Sequence, residues 1–183
     1  MNVGYLIAVV GPSGVGKDSV IAGIAAARPD LQVVTRTITR PASAPGEDFH
    51  AVSSAEFDGI VAQGGFCLHW SAHGLRYGIP AQVAPDVQAG CHCIANLSRG
   101  VLTDATALFP ALLVLNITAR PETLAHRLGT RGRETAAEIA RRLARNPGPL
   151  PDNANAVTIP NDGPLKETVS AALVALDQRG AVA

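Results

Sequence analysis

The stretch GPSGVGKDS at residues 11–19 decides the fold of this chain. An apolar run typical of a buried strand precedes it at residues 3–10, and apolar residues at helical spacing follow over 17–27. Its first seven residues match the pattern G-x-x-x-x-G-K. The glycines allow backbone N–H groups to surround phosphate oxygens, and the helix N-terminus adds its dipole. We therefore predict a phosphate-binding loop whose Lys17 reaches the β- and γ-phosphates of a nucleotide.

One position departs from the usual loop pattern, in which a Ser or Thr hydroxyl after the lysine holds Mg²⁺. Here Asp18 takes that position and Ser19 follows. A carboxylate also binds Mg²⁺, so we expect the metal at Asp18; the alternative is a solvated acid in the first helical turn, which the helix dipole favours. The residues expected to bind the nucleotide in this loop are Gly11, Pro12, Ser13, Gly14, Val15, Gly16, Lys17, Asp18 and Ser19.

Strand-like apolar runs recur after the loop, at residues 91–97, 111–117 and 155–159, and helical patterns separate them. Pro121 is expected to open one helix and Pro164 the last one. Strands that alternate with helices predict the α/β class, with a mostly parallel central sheet flanked by helices.

Two segments interrupt this alternation. Residues 36–89 read as a turn-rich insertion with strands at 66–70 and 75–79, and residues 129–147 read as an arginine-dense helical segment. Residues 31–39 alternate and are rich in β-forming residues, and residues 40–50 are predicted to form a loop. Helices are predicted after the capping boxes at 53–56 and 135–138. We expect a single domain over 1–183, with its core at 1–35 and 90–183, an acceptor-binding insertion at 36–89 and a lid at 129–147.

Composition excludes several classes of protein. The chain has 183 residues, 47% hydrophobic and 16% charged, which suits one globular domain and excludes intrinsic disorder. No apolar run approaches the roughly 18 residues of a membrane span, and a net charge of zero argues against a nucleic-acid partner. The N-terminus has no basic segment or cleavage site, so we expect a cytoplasmic protein without a membrane partner.

Arginine and cysteine usage adds two smaller constraints. The basic residues are thirteen Arg and two Lys, a bias that either phosphate recognition or a GC-rich genome would produce. The cysteines, Cys67, Cys91 and Cys93, are odd in number and lack the paired C-x-x-C spacing of a zinc site. We therefore expect neither a disulfide framework nor bound zinc.

Several further segments appear in the order typical of guanylate kinases, which the chain resembles over nearly its whole length. They are T-I-T-R at 37–40, FCLHW at 66–70 with Tyr77-Gly78, RLGTRG at 127–132, Arg142-Leu143 and Asn161-Asp162. Within that superfamily the chain is more similar to the ribose 1,5-bisphosphate phosphokinase family. The segments that carry this likeness are GPSGVGKDS, ITR at 38–40, SAHGLRYG at 71–78, NLSR at 96–99, RGRE at 131–134 and NDG at 161–163.

Three departures from guanylate kinase point in the same direction. His69 stands where that family usually carries the Glu that reads guanine, and an imidazole cannot accept two parallel hydrogen bonds from the base. The acidic segment that helps to place guanine appears here as Leu97-Ser-Arg-Gly100, and Arg133 replaces a usual Thr. These changes suit an acceptor with two phosphates and no base.

The resemblance implies a P-loop kinase that uses ATP and Mg²⁺ and converts ribose 1,5-bisphosphate, a small-molecule substrate, into 5-phosphoribosyl 1-diphosphate during phosphonate breakdown. A phosphate oxygen is already ionised at neutral pH, so no general base is expected. The implied catalytic residues are Lys17, Arg131, Arg133 and Arg142. Arg127 and Asn161 are implied to bind the nucleotide, and Arg36, Arg40, His69, His73, Arg76 and Tyr77 the acceptor.

Alternatives remain open at this stage. The lid arginines could instead form a solvated helix face, with Glu138 and Arg142 paired at the favourable i, i+4 spacing. The chain could be a guanylate kinase or another nucleoside monophosphate kinase, a non-catalytic guanylate-kinase-like binding module, or a kinase for another sugar such as gluconate. A homodimer is compatible with the sequence, which does not determine the oligomeric state.

Overall fold

The computed structural model describes residues 3–44, 47–130 and 148–179. The strands are β1 (Leu6–Val10), β2 (Gln32–Val33), β3 (Arg36–Ile38), β4 (Phe49–Ala51), β5 (Phe66–Ala72), β6 (Leu75–Pro80), β7 (Cys93–Asn96), β8 (Leu112–Thr118) and β9 (Ala156–Pro160). The helices are α1 (Lys17–Ala27), α2 (Ser54–Ala62), α3 (Val83–Gln88), α4 (Leu102–Leu108), α5 (Pro121–Thr130) and α6 (Leu165–Gln178), with a 3₁₀ turn at Arg99–Val101.

A parallel five-stranded sheet forms the centre of the molecule, in the order β2-β7-β1-β8-β9. Strand β1 lies in the middle, with Leu6 opposite Cys93 on one side and Leu112 on the other. The predicted α/β class with a mostly parallel sheet flanked by helices is therefore confirmed.

The apolar run of β1 is continuous because both faces of the sheet are covered. Leu6, Ala8 and Val10 pack into one core together with residues of α3, α4 and β5. Ile7 and Val9 point the other way, into a second core formed with α1 and α6. All five residues of β1 are fully buried, so the loop that follows starts from a rigid support.

A smaller sheet, in the order β4-β3-β6-β5, lies entirely within the predicted insertion at 36–89. Strands β5 and β6, which were predicted at 66–70 and 75–79, form an antiparallel hairpin in which Ala72 faces Leu75. His73 and Gly74 in the turn have φ values of 55° and 73°. Positive φ at both central residues is the geometry that suits a two-residue hairpin, and Gly74 adopts it without strain.

Most predicted helices are present. The Ser53–Glu56 capping box opens α2, with Ser53 and Glu56 satisfying each other's backbone N–H groups. Helix α5 begins at Pro121, and Pro164 precedes α6. The second capping box, at 135–138, lies outside the described residues. Among the helices that the structure describes, none combines the length and apolarity needed to cross a bilayer.

The β-rich segment at 31–39 forms two separate strands. Gln32–Val33 pairs with β7 in the central sheet, and Arg36–Ile38 pairs with β4 and β6 in the smaller one. The chain thus leaves the central sheet between these two strands. Alternation of apolar residues shows that a segment is extended but does not identify its partner strand. The assignment of these two strands to different sheets therefore could not be predicted from the sequence.

The predicted loop at 40–50 also includes the start of an additional short strand, β4, whose parallel pairing with β3 forms one edge of the smaller sheet. Helices α3 and α4 were not predicted either. Each has only six or seven residues, too few for a clear periodic pattern.

Candidate active site

A cleft of about 690 Å³ lies between the phosphate loop and the smaller sheet. One wall is formed by the loop and the start of α1, and the opposite wall by β3 and the β5–β6 hairpin. The residues that line it are Gly11, Ser13, Gly14, Gly16, Lys17, Asp18, Ser19, Arg36, Arg40, Glu47, Trp70, Ala72, His73, Leu75, Tyr77, Asn96, Leu97, Ser98 and Leu128. The fold therefore brings most of the residues predicted to bind the nucleotide and the acceptor substrate into one cleft.

Two glycines allow the phosphate loop to pass close to its neighbours. Gly14 and Gly16 have φ values of 83° and 93°, in the left-handed region that favours glycine. A Cβ at Gly16 would lie 2.9 Å from Asn161 Nδ2, and one at Gly14 would lie 3.0 Å from a methyl group of Leu128. Gly16 offers no side chain to cap α1, so no cap occupies the first N–H groups of that helix, whose residues Lys17, Asp18 and Ser19 line the cleft.

Lys17 lies at the mouth of this loop. Its ammonium group donates to the carbonyl oxygens of Gly11 at 2.9 Å and Pro12 at 3.2 Å. These contacts hold the positive charge of Lys17 beside the N-terminus of α1. The ammonium group and the helix N-terminus would attract the same phosphate oxygens.

Asn161 and Arg127 support the loop from behind. Asn161 Nδ2 donates to the Val15 carbonyl at 2.8 Å, and Arg127 Nη1 donates to the same oxygen at 3.2 Å. Asn161 is only 4% exposed, and its own oxygen accepts the Thr168 hydroxyl at 2.8 Å. Neither Asn161 nor Arg127 lines the cleft, nor do Pro12 and the buried Val15 of the loop itself. Asn161 and Arg127 thus lie against the backbone of the loop, and their role in binding the nucleotide stays a prediction.

Asp18 points to the carboxyl edge of the central sheet. Its Oδ1 accepts Nδ2 of Asn96, the buried last residue of β7, at 2.7 Å. Both residues line the cleft beside Lys17 and Ser19. Among the described residues no group of three or more His, Cys, Asp or Glu side chains converges as a metal cage. A single carboxylate with neighbouring hydroxyl and amide groups fits Mg²⁺, which commonly binds through one or two carboxylates plus phosphates and water.

Arg36 and Arg40 lie on and just after β3, and both face the cleft. Arg36 is 7% exposed and pairs with Glu47, to which its Nε donates at 2.9 Å and its Nη2 also donates. Arg40 lies over the Phe49 ring at 4.3 Å, and its Nε and Nη2 are buried with no hydrogen-bond partner among the described residues. Arg36 therefore lies beside a carboxylate that balances its charge, whereas Arg40 has no such neighbour among the described residues.

The hairpin supplies an aromatic surface to the same wall. Tyr77 stacks on Trp70 with 5.3 Å between ring centroids and 9° between planes, and the Arg36 guanidinium lies 5.0 Å from the Tyr77 centroid. His73 lines the cleft from the hairpin turn. Trp70 also packs against the core, as residues with a large apolar ring usually do.

His69 and Arg76 do not reach the cleft. Successive strand residues point to opposite faces, so these two lie on the far side of the hairpin from Trp70 and Tyr77. The His69 ring meets Phe57 edge-on, and Arg76 pairs with Asp58 at 2.5 Å while covering the same Phe57. Their role as acceptor ligands stays a prediction. The predicted catalytic residues Arg131, Arg133 and Arg142 lie outside the described residues.

Arg99 and Asn116 are two polar residues near the carboxyl end of the central sheet whose hydrogen bond was not predicted from the sequence. The Arg99 guanidinium donates to Asn116 Oδ1 at 2.8 Å and to the Gly148 carbonyl at 2.9 Å. Burial lowers the pKa of Arg99. Asn116 in β8, like Asn96 at the end of β7, interrupts an apolar strand, and a polar residue at that position was the available signal.

Comparisons with known proteins agree with this geometry. The chain is 50% identical over 167 residues to ribose 1,5-bisphosphate phosphokinase PhnN of Ruegeria sp. strain TM1040, covering 91% of this chain and 88% of that protein. It is 42% identical over 178 residues to the protein of the same name in Brucella abortus biovar 1 strain 9-941, covering 96% and 93%. No protein-family model matches the chain.

Among solved structures, guanylate kinase from Anaplasma phagocytophilum superposes with a TM-score of 0.68. The alignment covers 97% of this chain and 87% of that one, at 16% sequence identity. At this identity the likeness establishes the shared fold, a P-loop kinase fold of the guanylate kinase type.

Proposed function

Because the chain belongs to the ribose 1,5-bisphosphate phosphokinase family, we propose that it transfers the γ-phosphoryl group of ATP to ribose 1,5-bisphosphate. An oxygen of the 1-phosphate attacks the γ-phosphorus, the bond from that phosphorus to the ADP oxygen breaks, and the products are 5-phosphoribosyl 1-diphosphate and ADP. The observation that supports this most strongly is one cleft with a phosphate loop on one wall and an arginine-bearing acceptor surface on the other.

On the donor side, the loop amides and Lys17 would hold the β- and γ-phosphates of ATP. Phosphoryl transfer depends on positioning and charge neutralisation rather than on covalent chemistry by the protein. The buried Asn161 and the half-buried Arg127 both donate to the Val15 carbonyl and so restrain the loop backbone. Such preorganisation lowers the cost of ordering the loop when ATP binds.

Mg²⁺ belongs to the proposal as the second cofactor. Asp18 would hold it, with Ser19 and Asn96 as neighbouring polar groups on the same side of the cleft. When bound, the ion would neutralise charge on the phosphate oxygens. Asn96 orients the Asp18 carboxylate through its hydrogen bond, as residues surrounding a metal ligand commonly do.

On the acceptor side, Arg40 is the strongest candidate for binding a phosphate. Its two buried nitrogens have no hydrogen-bond partner among the described residues, and leaving such donors unsatisfied is costly. A phosphate would satisfy both, since a guanidinium presents two parallel donors to an anion. Tyr77 and His73 border the same space.

The remaining parts of the proposal rest on the family resemblance. Arg131, Arg133 and Arg142 would neutralise charge on the transferring group, as arginines do in other phosphoryl transfers. A cytoplasmic location, a homodimeric assembly and a place in phosphonate breakdown also belong to this part of the proposal.

The proposal is tested by the choice of acceptor. The protein is incubated with ATP and Mg²⁺ and either ribose 1,5-bisphosphate or GMP, and ADP formation is followed. The sugar product is identified by coupling to a phosphoribosyltransferase. We expect ADP with the sugar bisphosphate only. ADP with GMP only would indicate a guanylate kinase, and ATP binding without turnover of either acceptor would contradict the proposed reaction.

A further inference from the structure

The two cleft arginines near β3 differ in charge balance. Both nitrogens on one edge of the Arg36 guanidinium donate to the carboxylate of Glu47, which also lines the cleft. The corresponding nitrogens of Arg40 have no such partner among the described residues. The Arg36–Glu47 pair is therefore neutral overall, whereas Arg40 offers a positive charge.

This difference argues against Arg36 as a ligand of the acceptor phosphate. A phosphate placed against Arg36 would also approach the Glu47 carboxylate, whose repulsion opposes the attraction of the guanidinium. An anion is better placed at Arg40. The Arg36–Glu47 pair is suited instead to groups that are polar but uncharged.

The pair retains hydrogen-bonding capacity on both partners. A carboxylate has about four lone-pair sites, of which Arg36 uses two, and a guanidinium has five N–H donors, of which Glu47 accepts two. Unused acceptors and donors thus lie side by side at the cleft. Adjacent hydroxyl groups match this arrangement, because each hydroxyl donates one hydrogen bond and accepts others.

Packing holds the pair in place. Arg36 is 7% exposed, and its guanidinium lies 5.0 Å from the centroid of Tyr77, which in turn stacks on Trp70. A binding group that is already ordered costs little further entropy when its ligand arrives. Asp48, the next residue, is exposed and does not line the cleft, so the acidic character of this segment is directed into the site only at Glu47.

We infer that Glu47 and Arg36 form a subsite for the adjacent 2- and 3-hydroxyls of a ribose phosphate, and that this subsite makes the cleft discriminate against 2-deoxyribose phosphates. The inference rests on the proposed function, because it places the sugar of the acceptor in this cleft. Glu47 is thereby a specificity-determining residue.

The test is calorimetric titration of the protein with ribose 5-phosphate and with 2-deoxyribose 5-phosphate. We expect the wild-type protein to bind the ribose compound at least about tenfold more tightly, because the 2-deoxy compound leaves polar groups of the subsite unpaired. The E47Q variant should bring the affinity ratio close to one. The matched variant D48N should keep the wild-type ratio.

Equal binding of the two sugars by the wild-type protein would overturn the inference, and so would a folded E47Q variant that keeps the full preference. A purely structural ion pair would change the unfolding midpoint in E47Q without changing the affinity ratio. If E47Q does not fold, the ratio measured on the wild-type protein alone decides.

Turnover separates this inference from the proposed function. Ribose preference in binding without turnover of ribose 1,5-bisphosphate would overturn the proposed reaction and support the subsite. Turnover of ribose and 2-deoxyribose 1,5-bisphosphates with equal kcat/KM, together with equal binding, would support the reaction and overturn the subsite.

Discussion

The carbonyl oxygen of Val15 accepts a hydrogen bond from Nδ2 of Asn161 at 2.8 Å, although 146 residues separate them in the chain. This contact joins the middle of the phosphate loop to the residue that follows β9. Thr168 on α6 completes the chain of hydrogen bonds by donating to Asn161. The loop conformation therefore depends on the last strand and helix that the structure describes.

Replacing Asn161 with alanine should weaken both the fold and ATP binding. The variant loses a buried amide that bridges Val15 and Thr168, so we expect the free energy of unfolding to fall by about 1–3 kcal/mol. The KM for ATP should rise several-fold while the KM for the acceptor changes little. Denaturant unfolding and initial rates measure these effects. The exposed N153A variant is the control, and an N161A protein with wild-type stability would contradict the bridging role.

Replacing Lys17 with methionine should abolish most of the activity. The ammonium group lies at the mouth of the phosphate loop, where it would neutralise charge on the transferring phosphoryl group. We expect kcat to fall by about 10²–10³-fold in an ADP-release assay. The second lysine, Lys166, is exposed on α6, so K166M should keep full activity. Comparable losses in both variants would argue against a site-specific role for Lys17.

Replacing Asp18 with asparagine distinguishes a metal ligand from an acid that only interacts with the helix dipole. If Asp18 holds Mg²⁺, the Mg²⁺ concentration for half-maximal activity should rise by at least about tenfold in D18N. Asp104 is an exposed acid in the first turn of α4 and is a matched control. D104N should leave the Mg²⁺ dependence unchanged. Identical Mg²⁺ titrations for D18N and the wild-type protein would leave only the dipole role.

Replacing Arg40 with alanine should specifically impair the acceptor. Its buried Nε and Nη2 lack a partner among the described residues, and a charged hydrogen bond contributes about 1.5–3 kcal/mol. We therefore expect the acceptor KM to rise by about 10–100-fold with an unchanged KM for ATP. Arg120, whose side chain is 74% exposed, supplies the control R120A. An unchanged acceptor KM in R40A would move the phosphate site elsewhere.

Cys93 predicts a change of stability at alkaline pH. Burial raises the pKa of this thiol to about 11, from an ordinary value of 9.0. The unfolded chain therefore releases the proton first, so the stabilising contribution is complete below pH 9 and is lost as pH rises through about 11. The free energy of unfolding should fall less steeply over this window in C93A than in the wild-type protein. Denaturant unfolding of both proteins between pH 9 and 11 measures these slopes, and equal slopes would contradict the prediction.

The phosphate loop is the part of the site that the sequence predicted most completely. Its glycines and Lys17 are adjacent in the chain, and their local conformations create the anion site, so a short pattern was sufficient to identify them. The strands of the central sheet could be predicted from the sequence for a similar reason. A strand buried on both faces has to be apolar throughout, as β1 is.

The orientation of side chains on the β5–β6 hairpin could not be predicted from the sequence. His69 and Arg76 matched the family's motifs, yet each lies on the Phe57 face of the hairpin, opposite Trp70 and Tyr77. Which face of the hairpin turns to the cleft depends on how the smaller sheet packs, and a shift of one residue in strand register exchanges the two faces. The pairing in this hairpin shifts between Phe66 and Leu68.

The sequence by itself determined the fold class, the phosphate loop and the family, because each is expressed by residues close together in the chain or by their order along it. Only the tertiary structure decided that Asn161 supports the loop and that Asp18 meets Asn96. It also decided that Arg36 pairs with Glu47, whereas Arg40 Nε and Nη2 have no hydrogen-bond partner among the described residues. These pairings join residues from different elements. Their geometry follows from how the two sheets and their helices pack, which no local pattern contains.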